Sequence, residues 1–260
     1  MMEDLSHPSF PQPANPDATL WRYLDAGKFE WLLTERRLYM PTADRLGDPL
    51  EGTTPQAEID RWDAMLAAAE TDEQRGITLH NRRFLADMAA SWRRAYFVSC
   101  WQMNDYESNV MWRAYTSSPE AVAIRTTFSA LRAALPAFVF LGVVRYIDFD
   151  ATGFQGVPNM FEWIMHKEAI YRDEAEVRAV AFPPVIAELG RREFDESLFE
   201  QVDQPGARVY APEIDPAGLI QAVVVHPKAT SEFMEKVAAL CAAHQLQPPS
   251  RSRGARGAQF

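Results

Sequence analysis

The run Glu174-Ala-Glu-Val-Arg-Ala-Val-Ala-Phe182 admits few folds. Side chains alternate faces along a strand. Ala175, Val177, Ala179 and Ala181 fall on one face, which is small and apolar. If the strand starts by Glu174, then Glu174, Glu176 and Arg178 share the other face, which turns apolar at Val180 and Phe182. A strand apolar on both faces belongs inside a sheet that is covered on both sides. Pro183-Pro184 ends it. Three charges therefore stand at one end of an otherwise buried strand.

The remaining chain supplies strands and helices without strict alternation. Strands are predicted at Leu38–Met40, Ala95–Trp101, Val122–Thr126, Val139–Phe149 with Gly142 as a bulge, Arg208–Ile214 and Ile220–Val225. Helical spacing covers Asp25–Arg36, Ser108–Tyr115, Thr127–Leu135, Phe161–Tyr171 and Ser231–His244, with short helices at Val185–Arg192 and Phe194–Phe199. Residues 55–94 read as two helices that break near Thr71-Asp72 or Gly76. The fold class expected is α+β: a central mixed, mostly antiparallel sheet with surrounding helices and that helical insertion. No Gly-rich phosphate loop marks a doubly wound nucleotide fold. A single domain is expected over residues 19–247. A flexible Pro-rich arm (1–18) precedes it and a flexible basic tail (248–260) follows.

Composition narrows the setting. No apolar run reaches the ~20 residues of a membrane span, and Met1-Met-Glu-Asp-Leu-Ser-His lacks a basic, then apolar, leader. Two cysteines, Cys100 and Cys241, make no disulfide framework. These features imply a cytoplasmic protein with no membrane partner. A formal net charge of −10 disfavours non-specific binding to nucleic acid. The five histidines include no i, i+4 pair, and no Cys-x-x-Cys exists, so no zinc signature is present and no metal is expected. Nor is there a Gly-x-Ser-x-Gly nucleophile elbow.

Four clusters carry chemistry. Glu174 and Glu176, about 6–7 Å apart if both lie on the strand, can raise each other's pKa while Arg178 offsets the effect. A solvated ladder of charges or a structural Glu–Arg pair is the plainer reading. Ser108, Trp112 and Tyr115 fall on one helical face, as a core anchor or a stacking wall for a ring. In Trp21-Arg22-Tyr23, Arg22 can grip a phosphate or carboxylate; an ordinary ion pair with Asp48 or Glu51 is the alternative. Lys167, after His166, can donate to an anion or snorkel.

In this order the pieces resemble a bacterial family known as domain of unknown function 2971. They are Leu20-Trp-Arg-Tyr23, Leu38-Tyr-Met40, Gly47-Asp-Pro-Leu-Glu51, Val98-Ser-Cys-Trp101, Met111-Trp112-x-x-Tyr115, Lys167, Tyr171-x-x-Glu174-x-Glu176-x-Arg178 and Ile220-x-x-Val-Val-Val-x-Pro227. The resemblance runs from about Leu20 to Ser250 and implies a setting in phage defence or a toxin–antitoxin system. The layout is also distantly similar to NAD-dependent ADP-ribosyltransferases. That similarity implies NAD as a substrate, Glu176 as the catalytic carboxylate and Glu174 as the group that orients the acceptor. Arg22 would hold the cofactor. Ser99, or the Ser108/Trp112/Tyr115 face, would line the nicotinamide pocket, with Tyr23, Lys167 and Arg178 completing the site. No Ser-Thr-Ser signature accompanies Arg22.

The partners implied are a small nucleotide, a protein or nucleic-acid acceptor, and an antitoxin. Two other functions fit the same residues. One is a non-catalytic module that binds a nucleotide or a protein through Trp112 and Tyr115. The other is a metal-dependent nuclease that uses Asp148, Asp150, Glu174 and Glu176.

Overall fold

The computed structural model of the chain describes residues 7–154, 159–183, 201–204 and 207–255. The strands are β1 (Thr19–Asp25), β2 (Met40–Pro41), β3 (Phe97–Met103), β4 (Ala121–Thr127), β5 (Phe140–Val143), β6 (Arg145–Ile147), β7 (His166–Glu168), β8 (Glu176–Ala181), β9 (Gln201–Gln204), β10 (Ala207–Tyr210), β11 (Ala222–Val225) and β12 (Ser250–Arg251). The helices are α1 (Ala26–Glu35), α2 (Gln56–Ala67), α3 (Asp72–Trp92), α4 (Asn109–Tyr115), α5 (Phe128–Ala134), α6 (Glu162–Met165), α7 (Pro216–Leu219) and α8 (Ser231–Ala243).

Seven strands form the main sheet in the order β12-β11-β4-β1-β3-β8-β5. Within this sheet, among the described residues, β11 and β12 run parallel and the other pairs are antiparallel. This is the expected α+β architecture with a mixed, mostly antiparallel sheet. Every residue of β8 is buried, as its two apolar faces require. Val177, Ala179 and Ala181 join a large core with Phe29 and Leu33 of α1, Leu131 of α5 and Phe233 and Val237 of α8. Val180 and Phe182 face a second core with Tyr96, Phe140, Phe161 and Phe10. The helical insertion is α2 and α3. It breaks before Asp72, where the Thr71 side chain accepts from the Gln74 amide in a capping box. Gly76 lies inside α3.

Several expectations are corrected. The strand over Val139–Phe149 divides into β5 and β6, because Val144 turns its amide to the carbonyl of Glu176 (2.9 Å) and β6 then pairs with β7. Gly142 is a crossing point rather than a bulge: a Cβ there would stand 2.6 Å from Phe10 Cα. The helix over Phe161–Tyr171 shrinks to α6. His166 to Glu168 pair with β6 instead, so tertiary pairing outweighs helical spacing.

The Pro-rich arm is packed from His7 onward. Phe10 is buried, the Val143 amide donates to Pro11 O, and Gln12 donates to Leu141 O. The basic tail contributes β12, and Ser252 is buried. The helices expected at 185–192 and 194–199 lie outside the described residues.

The main sheet is open along one line. β1 pairs with β4 along its whole length, from Thr19↔Thr127 to Asp25↔Ala121. It pairs with β3 only at Leu20↔Met103 and Trp21↔Gln102. β3 meanwhile stays paired with β8, from Phe97↔Ala181 to Gln102↔Glu176. Beyond Trp21 and Gln102 the two strands part.

Candidate functional site

A cavity of about 810 Å³ occupies this opening. Trp21, Arg22, Tyr23 and Leu24, consecutive residues with alternating orientations, all line it. A strand offers both of its faces to one space only where its neighbour has parted from it. The far side is lined by Cys100, Trp101 and Gln102 of β3 and by Tyr115, Lys167, Glu174 and Glu176.

Arg22 comes from the β1 side. Its Nη1 donates to Ser99 Oγ (2.9 Å) and its Nη2 to Tyr39 O (3.0 Å). Its guanidinium carbon lies 5.6 Å from the centre of the Trp101 ring. Ser99 also accepts from Trp101 Nε1 (3.0 Å), so one hydroxyl holds both parts of this shelf. Burial pulls the guanidinium down to about 10. Among the described residues no carboxylate lies in ion-pair contact with Arg22; the pairing with Asp48 or Glu51 weighed above does not form. A cavity-lining guanidinium without a counter-charge suits a phosphate or carboxylate.

The opposite wall is a buried ionic network. Arg178 Nε and Nη2 grip Glu176 Oε1 and Oε2 at 3.0 and 2.9 Å. Arg178 Nη1 bonds Ile164 O and stands 2.5 Å from Glu51 Oε1. Lys167 Nζ lies 2.6 Å from Glu174, 3.3 Å from Glu176 and 3.7 Å from Glu51, with the Tyr171 ring centre at 4.9 Å. Tyr146 Oη accepts the Glu176 amide (2.8 Å). Burial alone would raise the Glu176 carboxyl, but Arg178 and Lys167 hold it at about 2. Glu51 goes the other way: burial, with repulsion from Glu176, outweighs Arg178 and raises it. Burial and then Glu176 push the Cys100 thiol well above its ordinary value, away from the reactive thiolate. Burial also raises the Tyr115 hydroxyl, helped by Glu176 and Glu174.

The structure thus brings Arg22, Tyr23, Tyr115, Lys167, Glu174 and Glu176 to one cavity. Ser99 and Arg178 stand behind it and position Arg22 and Glu176. Ser108 and Trp112 do not line it. The Ser108 side chain caps α4 and its amide donates to Tyr23 Oη (2.7 Å). Trp112 is buried edge-on to Tyr23 and His226, so it is a core anchor, not a stacking wall. Glu174 is not on β8: it ends a 3-10 turn, Ala175 takes a left-handed φ of 42°, and the strand starts at Glu176. The two carboxylates meet through Lys167 rather than along one strand face.

Asp148 and Asp150 lie in a turn in which Asp148 Oδ1 accepts two amides, and neither lines the cavity. Among the described residues no three His, Cys, Asp or Glu side chains gather where they could hold a metal ion.

Sequence reading missed Glu51 as part of the network, Trp101 as the shelf under Arg22, and Trp31 and Tyr171 as cavity walls. An acid inside a turn-forming run, or a Trp inside an apolar strand, carries no local signal of such a role. No family model, curated protein or solved structure matches the chain.

Proposed function

We propose that the protein is an ADP-ribosyltransferase-like enzyme that uses NAD as its substrate, in a phage-defence or toxin setting. The observation that carries this reading is the pairing of opposites across the opening between β1 and β3. Arg22, which has no ion-pair partner among the described residues, faces an acidic wall built on Glu176. Arg22 would take the pyrophosphate. The aromatic walls from Trp31, Tyr39 and Tyr115 would take rings.

In the reaction the bond from the ribose C1′ to the nicotinamide nitrogen breaks, its electron pair leaving with nicotinamide. An acceptor oxygen or nitrogen then forms the new bond to C1′ and gives up a proton. Three carboxylates (Glu51, Glu174, Glu176) against two cations (Lys167, Arg178) leave the wall one negative charge in excess when all are ionised. That excess would stabilise the oxocarbenium-like transition state. Both oxygens of Glu176 already accept from Arg178, and one also from Lys167. Its contribution is therefore its charge more than its lone pairs. Glu174, more exposed and held by Lys167, is the better placed to take the acceptor's proton.

The test is incubation of wild-type protein and Glu176→Gln with NAD, with and without cell lysate. Nicotinamide release or transfer of label by the wild type, lost in the variant, is expected. No turnover above background, or equal turnover by the variant, overturns the reading.

A further inference from the structure

The turn after β2 carries two acids with opposite circumstances. Glu51, deeply buried, meets Arg178 and Lys167. Asp48 lies three residues earlier, is 8% exposed and lines the cavity. Its Oδ1 accepts the Leu50 amide (2.9 Å), which forms the turn, and its carbonyl accepts the Glu51 amide (3.1 Å). Its Oδ2 is buried and has no hydrogen-bond partner among the described residues. Arg22 lines the same cavity and, among the described residues, has no ion-pair partner, Asp48 included. Arg22 and Asp48 thus line one cavity, neither in an ion pair among the described residues, and the Asp48 oxygen without a hydrogen bond is buried at its wall. Unpaired buried polar groups are costly, and they persist where a ligand supplies the missing partner.

We infer that Asp48 is a ligand-binding residue that accepts one N–H or O–H donor from a ligand whose anionic group sits on Arg22. The chemical class is a nucleoside phosphate. Only one oxygen of Asp48 is free, so a single donor is read, either a ribose hydroxyl or a base amine. The nucleotide class deepens the NAD reading and rests on it in part, but the role of Asp48 holds for any ligand of this chemistry. Asp48 Oδ2 also explains why the turn is built with an acid where an asparagine would form the same Asx turn.

The test measures binding of pyrophosphate, ribose 5-phosphate, AMP and NAD to wild type and to Asp48→Asn, followed by calorimetry. Asparagine keeps an acceptor for the Leu50 amide and replaces Oδ2 with an NH₂ group, which repels a donor. The expected result is AMP binding weakened on the order of 10-fold or more with pyrophosphate unchanged. Ribose 5-phosphate weakened with AMP assigns the donor to the ribose; AMP weakened alone assigns it to the base. The thermal midpoint of the variant checks that it folds as wild type does.

The inference is overturned by equal binding of all probes, by an equal loss for pyrophosphate, by no probe binding wild type, or by a variant that no longer folds. If NAD is neither bound nor turned over while AMP binds through Asp48, the NAD reading falls and this one stands. If NAD is turned over and Asp48→Asn binds every probe as wild type does, the reverse holds.

Discussion

Arg178 and Glu176 lie two residues apart on one strand, and both oxygens of Glu176 accept from the Arg178 fork, at 3.0 and 2.9 Å. Residues i and i+2 share a strand face, so the pair is built by the alternation that buries the rest of β8. Arg178 is fully buried and also stands against Glu51. It is the hub through which the acidic wall is held.

Arg178→Leu should therefore be severe. It leaves Glu176 and Glu51 buried with only Lys167 between them. Losing one partner of a buried pair costs about 3–5 kcal/mol. Urea unfolding of the variant checks this, and a loss below about 1 kcal/mol would show that the wall tolerates its charges without Arg178.

The two buried glutamates should give stability opposite pH dependences. Glu176 sits at about 2, below its ordinary 4.5. Its contribution, roughly 3 kcal/mol, is complete above pH 4.5 and is lost as the pH falls from 4.5 toward 2. Glu51 is raised. Its contribution is complete below its ordinary value and is lost as the pH rises through the raised one. Glu51→Gln should thus gain on wild type as the pH rises above 4.5. Glu176→Gln should lose its disadvantage as the pH falls below 4.5. Denaturation midpoints measured from pH 3 to 8 decide both.

Ser99→Ala should act at a distance from the cavity. The hydroxyl accepts from both Arg22 and Trp101, and its removal leaves two donors without that partner. A stability loss of about 1–3 kcal/mol is expected. Pyrophosphate affinity should also weaken several-fold as Arg22 loses its anchor. Ser99→Thr, which retains the hydroxyl, should recover affinity more than stability, because the extra methyl crowds a fully buried site.

Gly142→Ala should loosen the N-terminal arm. A Cβ would stand 2.6 Å from Phe10 Cα and 2.8 Å from its carbonyl carbon. Backbone cannot yield as a side chain can, so about 1–3 kcal/mol is the expected cost. In a chain lacking residues 1–12 the same substitution should cost little. A double-mutant cycle by thermal unfolding measures the coupling.

The sequence made β8 legible because composition and period agree there: apolar on both faces, charged at one end. The helical insertion was legible in its break at Thr71-Asp72, but its apolar stripe is not buried: in α2 Met65 is exposed, Ile59, Trp62 and Leu66 are half-buried, and Glu58 is the buried residue. The sequence did not show where β8 begins, since the left-handed turn at Ala175 leaves no mark in an Ala. Helical spacing over Phe161–Tyr171 misled because β6, 21 residues earlier in register (Arg145↔His166), recruits His166 to Glu168 as a strand. The opening between β1 and β3 was also invisible. Register between strands depends on pairings across the chain, not on either strand's own pattern. For that reason the sequence places Arg22 and Glu176 in one site by resemblance, with no sign that a parted sheet brings them there. Trp112, expected beside them, is core.

The sheet order also decides when the chain is most exposed to misassembly. β4 lies between β1 and β11, and β11 lies beside β12. Until Ala222–Val225 is in place, β4 presents Ala121–Thr127 with one edge of amides and carbonyls unanswered. Four of those seven residues are Ala, Val, Ala and Ile, all buried in the finished fold. Such an edge is a template for pairing with another copy. Pairings this distant in sequence also form slowly. A chain halted short of β11 should therefore aggregate through β4, and the closing strands act as a shield as well as a part of the sheet.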